Sequence, residues 1–337
     1  MKEVFPGIFL IKEIRKLFNF LESTNLYLIA GDDGLIYDGG YGNRSSIKFV
    51  LKELNKIESF YQSENKTLNL TRILPSHSHS DHISGLKELR KRLGLKILVT
   101  KEIAEIIGDK LAYSKAYRAD NYKDYFIINK SVKQRLKNFL LSKLANFFWN
   151  FIAGVSYIEN PDEIIDKNSE IIINGETWSI FPSPGHSFDH ISLYNEQKGI
   201  LFAGDNIFKS ISGWLGPPES NLDDYMHTLE TYNKLNNLRL ILPAHGDPIE
   251  NPKERIKEVI LHRENRLNQV LDLIRNSQDT GLTPREIIEK VYTNGSRMIK
   301  QIARGWVCLS IKKLELEGSI SRKESKEEIR FYPVNKL

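Results

Sequence analysis

The sequence predicts an α/β protein, on three observations. Short apolar strands alternate with amphipathic helices over most of its 337 residues. Metal-ligand residue types stand just past several of those strands, where α/β folds place their function. From about residue 279 the pattern changes to short helices followed by a hairpin, which suggests a second, smaller unit.

The elements follow in chain order. "VFPGIFLI", "NLYLIAGDDGLIYDGG" and "LTRILPSH" are short apolar runs broken by Gly, Asp and Pro, and read as strands. "GDDG" at Gly31–Gly34 is a hairpin turn signal. In "RSSIKFVLKELNKI" the apolar residues Ile47, Val50, Leu51, Leu54 and Ile57 recur at helical spacing. "SGLKELRKRLG" predicts a helix closed by Gly94, and "KILVT" a further strand. Residues from about 102 to 160 are aromatic-rich with few strand signals, and read as a helical insertion. Strands return at "EIIING", "TWSIFPSPGH" and "HISLYNEQKGILFAGD". Asn221 is placed to cap a helix carrying Asp223 and Asp224 in its first turn. "RLILPAHGDPI" is one more strand, and "PKERIKEVILHRENRLNQVLDLIRNS" a long amphipathic helix. In the tail, "TPREIIEKVY", "SRMIKQIARG" and "VCLSIKKLELEG" give three short helical signals, and "SISRKESKEEIRFYPV" a hairpin. This is the order of a winged-helix domain. The expected organisation is a larger α/β domain over 1–275 and a winged-helix-like domain over 279–337.

Composition bounds the location and partners. No run reaches 18 apolar residues, so no spanning helix is expected. Met1–Leu10 lacks the apolar stretch and cleavage site of a signal peptide. Cys308 is the lone cysteine, which excludes an intrachain disulfide and makes a cytoplasmic location the default. A net charge of +5 permits an anionic partner without requiring one.

The chemistry concentrates in "SHSHSDH", where His77, His79, Asp81 and His82 fall within six positions. "IFPSPGH" adds His186, "ILFAGD" adds Asp205 and "LILPAH" adds His245, so the set holds five of the chain's eight histidines. Imidazole and carboxylate donors suit a divalent ion such as zinc. Seven donors exceed one tetrahedral shell and suit two ions sharing a carboxylate. Two adjacent cations lower the pKa of a shared water enough to make it a nucleophile near neutral pH. No protein nucleophile is needed, and no G-x-S-x-G elbow is present.

These motifs carry a resemblance. "SHSHSDH" is similar to the HxHxDH signature of the metallo-β-lactamase superfamily, and "SPGHSFDHISL", "LFAGD" and "LPAHGD" to its later motifs in order. Asp38 in "LIYDGG" stands where that family keeps a buried structural aspartate. The resemblance covers roughly residues 1–275 outside the insertion, and implies an αββα sandwich with the metals at one edge. It implies one ion held by His77, His79 and His186 and another by Asp81, His82 and His245, with Asp205 bridging. Two zinc ions are expected; iron and manganese are accepted by the same ligands in relatives. Asp81 would both ligate and orient the nucleophile. His190 in "HSFDH" is either a proton-handling catalytic residue or a structural hydrogen-bond partner. The set lacks the cysteine ligand of some true β-lactamases, which argues against antibiotic hydrolysis.

Two substrate classes stay open. The later motifs look closest to glyoxalase II and lactamase-like hydrolases, and the helix "HRENRLNQVL" with a winged-helix tail resembles a lactamase-like endoribonuclease family. Some fungal relatives of that arrangement are thioesterases. A small acyl substrate (thioester or lactone) is expected, with single-stranded RNA as the alternative. In the tail, Lys312, Lys313, Arg322 and Lys323 are diluted by five glutamates, which disfavours a nucleic-acid role there. In the insertion, Phe147, Phe148, Trp149 and Phe151 could form an apolar lid, a membrane or subunit surface that would make a homo-oligomer, or simple core.

Overall fold

The computed structural model describes residues 2–12, 23–117, 125–126, 151–210, 212–216 and 218–334. Two sheets carry the architecture. The first holds β1 (Lys2–Phe5), β2 (Ile8–Lys12), β3 (Asn25–Ile29), β4 (Gly34–Tyr37), β5 (Leu70–Leu74), β6 (Lys96–Thr100) and β7 (Glu163–Ile165), in that spatial order. The second runs β12 (Leu240–Pro243), β11 (Ile200–Gly204), β10 (Ile191–Asn195), β9 (Glu176–Pro182), β8 (Ser169–Ile173).

Alternation along the strands builds three layers of core. On β2 and β3, Phe9, Ile11, Leu26 and Leu28 face α1 (Arg44–Ser63), together with Ile47, Val50, Leu54 and Ile57 of that helix. The intervening residues Ile8, Leu10, Tyr27 and Ile29 face the second sheet, meeting Trp178, Leu193 and Phe202. On the far side of the second sheet, Leu201, Ala203 and Ile241 pack against Tyr225 and Leu229 of the helix Leu222–Lys234. The layers are therefore helix, sheet, sheet, helix. A period-two pattern apolar on both faces is what a strand buried on both sides requires. The Phe202 ring sits at the middle, 5.3 Å from Tyr27, 5.1 Å from Tyr37 and 5.6 Å from Trp178.

The topology gathers strand ends at one edge. β10 is antiparallel to both β9 and β11, and β12 is parallel to β11, so β9, β11 and β12 run the same way. The loops after β5, β9, β11 and β12 carry the candidate ligands.

Between β5 and β6 lie α2 (Ser80–Ile83) and α3 (Leu86–Leu93), the latter closed by Gly94 in the left-handed region as the sequence predicts. Beyond β6 come α4 (Lys101–Ile107) and α5 (Lys110–Ala116). The rest of the expected insertion, with Phe147, Phe148 and Trp149, falls mostly outside the described residues; Phe151 is described and exposed. The three-residue strand β7, in an acid-flanked stretch, is an element sequence reasoning misses. The later helices are α6 (Leu222–Lys234), α7 (Pro252–Asn276), α8 (Pro284–Val291) and α9 (Arg297–Leu316). The Asn221 side chain caps α6, accepting from the backbone of Asp223 and Asp224.

The tail corrects one expectation. Its second and third helical signals are a single helix, α9, which runs through Gly305 without a break. One interior glycine costs about 1 kcal/mol, and the buried stripe Ala303, Val307, Ile311 and Leu314 offsets it by packing on Ile287 and Ile288 of α8. The hairpin of β13 (Ile320–Glu324) and β14 (Ile329–Pro333) follows. Among the described residues no helix is long and apolar enough to cross a membrane.

Candidate metal centre

The loop after β5 is folded by Asp38. That residue is fully buried and left-handed at φ +69°, a conformation that Asp tolerates better than most residues. Its Oδ1 accepts the Ser76 N–H at 2.7 Å, and its Oδ2 lies 3.1 Å from His82 Nδ1. Two groups of donors then converge. His77, His79, His186 and Asp205 form one and Asp81, His82 and His245 the other, each with its donor atoms within 4.8 Å of one another. Asp205 faces both. Its Oδ2 is 3.5 Å from His186 Nε2, while its Oδ1 is 3.5 Å from His82 Nε2 and 3.4 Å from His245 Nε2. All seven residues singled out in the sequence are brought together.

Hydrogen bonds on the far side of the rings set which nitrogen faces inward. A carbonyl only accepts, so the Trp214 carbonyl, 2.8 Å from His186 Nδ1, places the proton on Nδ1 and turns the Nε2 lone pair to the cluster. The Ser23 carbonyl does the same for His245 Nδ1 at 3.1 Å. Thr24 Oγ1 donates to Asp81 Oδ2 at 3.1 Å.

The donor set fits divalent cations. His77 Nε2, His82 Nε2 and Asp205 Oδ1 are buried without a hydrogen-bond partner, an arrangement that costs free energy unless something accepts their lone pairs. The charges agree. Burial drives His77 and His79 down, His79 to about 3, and keeps them neutral and available as ligands. Burial pushes His82 down too, but the Asp38, Asp81 and Asp205 carboxylates outweigh it and hold the ring well above its ordinary value. His245 behaves likewise beside Asp205 and Asp81. In the absence of a metal these two imidazoles take up protons to balance the carboxylates, a balance that metal ions can replace.

His190 lies beneath the cluster, its ring 5.1 Å from that of His77 and stacked on it. Its Nε2 accepts the Asp205 backbone N–H at 3.2 Å, and Nδ1 is 2.8 Å from Ser183 Oγ. Burial keeps it neutral. Both ring nitrogens are engaged in the wall of the site, an arrangement that suits the structural hydrogen-bond reading of His190. Gly204 makes room for that ring: it is left-handed at φ +50°, and a Cβ there would stand 2.2 Å from His190 Nε2.

Other residues around the cluster escape sequence reasoning. Buried Asp189 accepts the Ser78 N–H at 2.9 Å and steadies the histidine loop; its place in "HSFDH" was the available signal. Glu219, 3.9 Å from His79 Nε2, is pushed by burial to about 7 and had no motif to mark it. Tyr117, just past α5, lies 5.2 Å from the His79 ring, so the start of the insertion walls the cluster.

A family profile described as "Metallo-beta-lactamase superfamily" matches residues 20–245. The chain belongs to the metallo-beta-lactamase superfamily. Members of this superfamily are typically metal-dependent hydrolases that bind divalent metals, and the enzyme described here is one of them. It is 28% identical over 319 residues to the "Beta-lactamase-like protein 2 homolog" of Drosophila melanogaster, covering 93% of this chain and 88% of that protein. The "Lactamase-like protein adaB" of Aspergillus niger is 24% identical over 332 residues, covering 93% and 82%. Among solved structures, a metallo-beta-lactamase family protein from Thermus thermophilus shares the fold with TM-score 0.72 at 20% identity, covering 98% of this chain and all of that one. A beta-lactamase domain protein from Burkholderia ambifaria gives 0.74 at 19%, covering 99% and 93%.

Proposed function

We propose that this superfamily member is a dinuclear hydrolase acting on a small acyl substrate of the thioester or lactone class. The observation that carries the two-ion reading is Asp205, which turns one carboxylate oxygen to each donor group. His77, His79 and His186 would hold one ion, Asp81, His82 and His245 the other. An imidazole-rich donor set with carboxylate suits zinc, with iron or manganese as the alternatives. When bound, the ions supply Lewis acidity and lower the pKa of water. Asp81, fixed by Thr24, orients the nucleophile, and His190 holds the Asp205 backbone in place.

The substrate reading rests on a cleft of about 790 Å³ that opens from His186 and Asp205. Phe208, Trp214, Val259, Ile299, Ile302 and Trp306 line it, and Ile302 keeps 53% of its surface exposed along that wall. An apolar wall beside a hydrolytic centre suits an acyl chain. A second reading, cleavage of single-stranded RNA, is favoured by Arg266, which lies 5.3 Å from the Tyr292 ring and 5.5 Å from the Trp306 ring in the same cleft. It ranks second because the neighbouring cations are already committed: Arg263 donates to Gly213 O, and Arg255 to Phe208 O and Glu258. The C-terminal residues 279–337 then act as a winged-helix-like domain that closes the cleft of a catalytic domain over 1–275, in a cytoplasmic enzyme.

Parallel assays of acyl thioesters, lactones, phosphodiesters and single-stranded RNA test this, with and without chelator. Thioester or lactone turnover lost in Asp205→Ala is the expected result. RNA cleavage alone, lost in the same variant, reverses the ranking.

A further inference from the structure

The segment 212–216 spans the gap between the metal centre and the C-terminal unit, and it is gripped from both sides. On one side Arg263 of α7, 6% exposed and 5.2 Å from the Tyr225 ring, donates to the Gly213 carbonyl at 2.5 Å. On the other side α9 crosses so closely that a Cβ on Gly305 would stand 2.1 Å from the Leu215 carbonyl oxygen and 2.9 Å from Gly216 Cα. Leu215 and Leu309 of α9 are buried in one apolar cluster. The gripped segment holds His186 by two routes. The Trp214 carbonyl accepts from its Nδ1, and Gly216 N–H donates to Ser220 Oγ at 3.0 Å, which donates to the His186 carbonyl at 2.6 Å. The histidines of the other donor group are oriented from elsewhere: His245 by Ser23, and His82 by Asp38.

We infer that the C-terminal helix tunes the metal centre, with Gly305 and Arg263 as positioning residues that aim the Trp214 carbonyl and so fix the orientation of His186. The inference rests on the reading of His186 as a metal ligand. A side chain at position 305 requires a shift of roughly 1 Å, because carbon and carbonyl oxygen do not approach within about 3 Å. The segment is the part free to move, since α9 is anchored along its length by its own core. The Trp214 carbonyl then leaves His186 Nδ1, and the ring loses its fixed tautomer. Loss of such an orienting bond typically weakens a metal site 10–100-fold. Because His82 and His245 are oriented from elsewhere, the loss falls chiefly on one ion.

The test uses the full chain, loaded with cobalt(II) or zinc(II) in chelator-buffered solution, with metal content and the cobalt ligand-field spectrum as readouts. The wild type is expected to take up two ions. Gly305→Ala, Gly305→Val and Arg263→Gln act on the segment from opposite sides. Each is expected to keep one ion at wild-type affinity while the other weakens by tenfold or more, in the order Val beyond Ala. Lys313→Ala removes the ion pair of α9 with Asp223 away from the segment, and is expected to leave both affinities unchanged. If Gly305→Val does not fold, Gly305→Ala and Arg263→Gln carry the same comparison. Folded variants that bind both ions as the wild type does, or that weaken both equally, overturn the inference. A wild-type protein that binds no metal overturns the ligand reading beneath it, which the first titration reveals.

Discussion

Replacing Asp38 with Asn keeps the shape of the side chain but exchanges one carboxylate oxygen for an NH₂ group and removes the negative charge beside His82. Asn adopts φ near +69° as readily as Asp, so the turn is unstrained. Ser76 N–H still needs an acceptor at 2.7 Å, which fixes the Asn amide with its oxygen toward Ser76. Its NH₂ then points at His82 Nδ1, where the carboxylate Oδ2 stood at 3.1 Å. Two donors cannot face each other, so the His82 proton is driven from Nδ1 to Nε2. That nitrogen faces Asp81 and Asp205 at 3.6 and 3.5 Å, and a protonated Nε2 has no lone pair for a cation.

The magnitude follows from what can compensate. Changes in such an orienting partner cost about 10–100-fold in metal affinity, or roughly 1.4–2.7 kcal/mol. Ser76 Oγ also reaches His82 Nδ1, at 3.2 Å, but it is shared with His77 Nδ1 at 3.0 Å. Partial rescue by Ser76 puts Asp38→Asn near the lower end, about tenfold. Adding Ser76→Ala moves the loss toward a hundredfold. Competition with a chelator of known affinity reads both, and thermal melting of the metal-free proteins checks the fold. The weakened ion is the one at Asp81, His82 and His245, the opposite of the Gly305 variants. Asp38→Asn protein that holds both ions at wild-type affinity refutes the tautomer argument.

Three further outcomes are expected. Stripping the metal leaves buried Asp205 balanced only by protons taken up on His82 and His245; ligand linkage at free metal 1,000-fold above Kd is worth about 4 kcal/mol, so chelation should lower the Tm by several degrees or more, read by calorimetry. Phe202→Ala empties the middle of the intersheet core between Tyr27, Tyr37 and Trp178 and should cost about 3–5 kcal/mol in denaturant unfolding; a loss under 1 kcal/mol would contradict the packing described. Cys308 is buried and its thiol is pushed up by burial to about 12, so a thiol reagent at pH 8 should label it only after denaturant opens the C-terminal unit, with labelling of the native protein at the free-thiol rate as the contrary result.

The residues readable in the sequence and those hidden in it divide along a physical line. A metal ligand must be a particular side chain, so the proposed ligands His77, His79, Asp81, His82, His186, Asp205 and His245 announce themselves, just past apolar strands. The orienting partners of His186 and His245 are backbone carbonyls of Trp214 and Ser23, and any residue type supplies a carbonyl. Gly305 is hidden for the same reason: within the sequence it reads as a helix breaker, which split α9 into two expected helices, while in the fold it is the contact point with Leu215. His190 shows the limit of residue type: its sequence left proton handling and a structural hydrogen bond both open, and only the fold brings the Asp205 amide and Ser183 to its two nitrogens. Chemistry that depends on side-chain identity is therefore local and legible. The orientation of those side chains depends on the Ser23 and Trp214 carbonyls and the Asp205 amide, which meet the rings only when the chain has folded. On the inference drawn above, chains sharing the seven proposed ligands can still differ in metal affinity through the segment 212–216 and whatever packs on it.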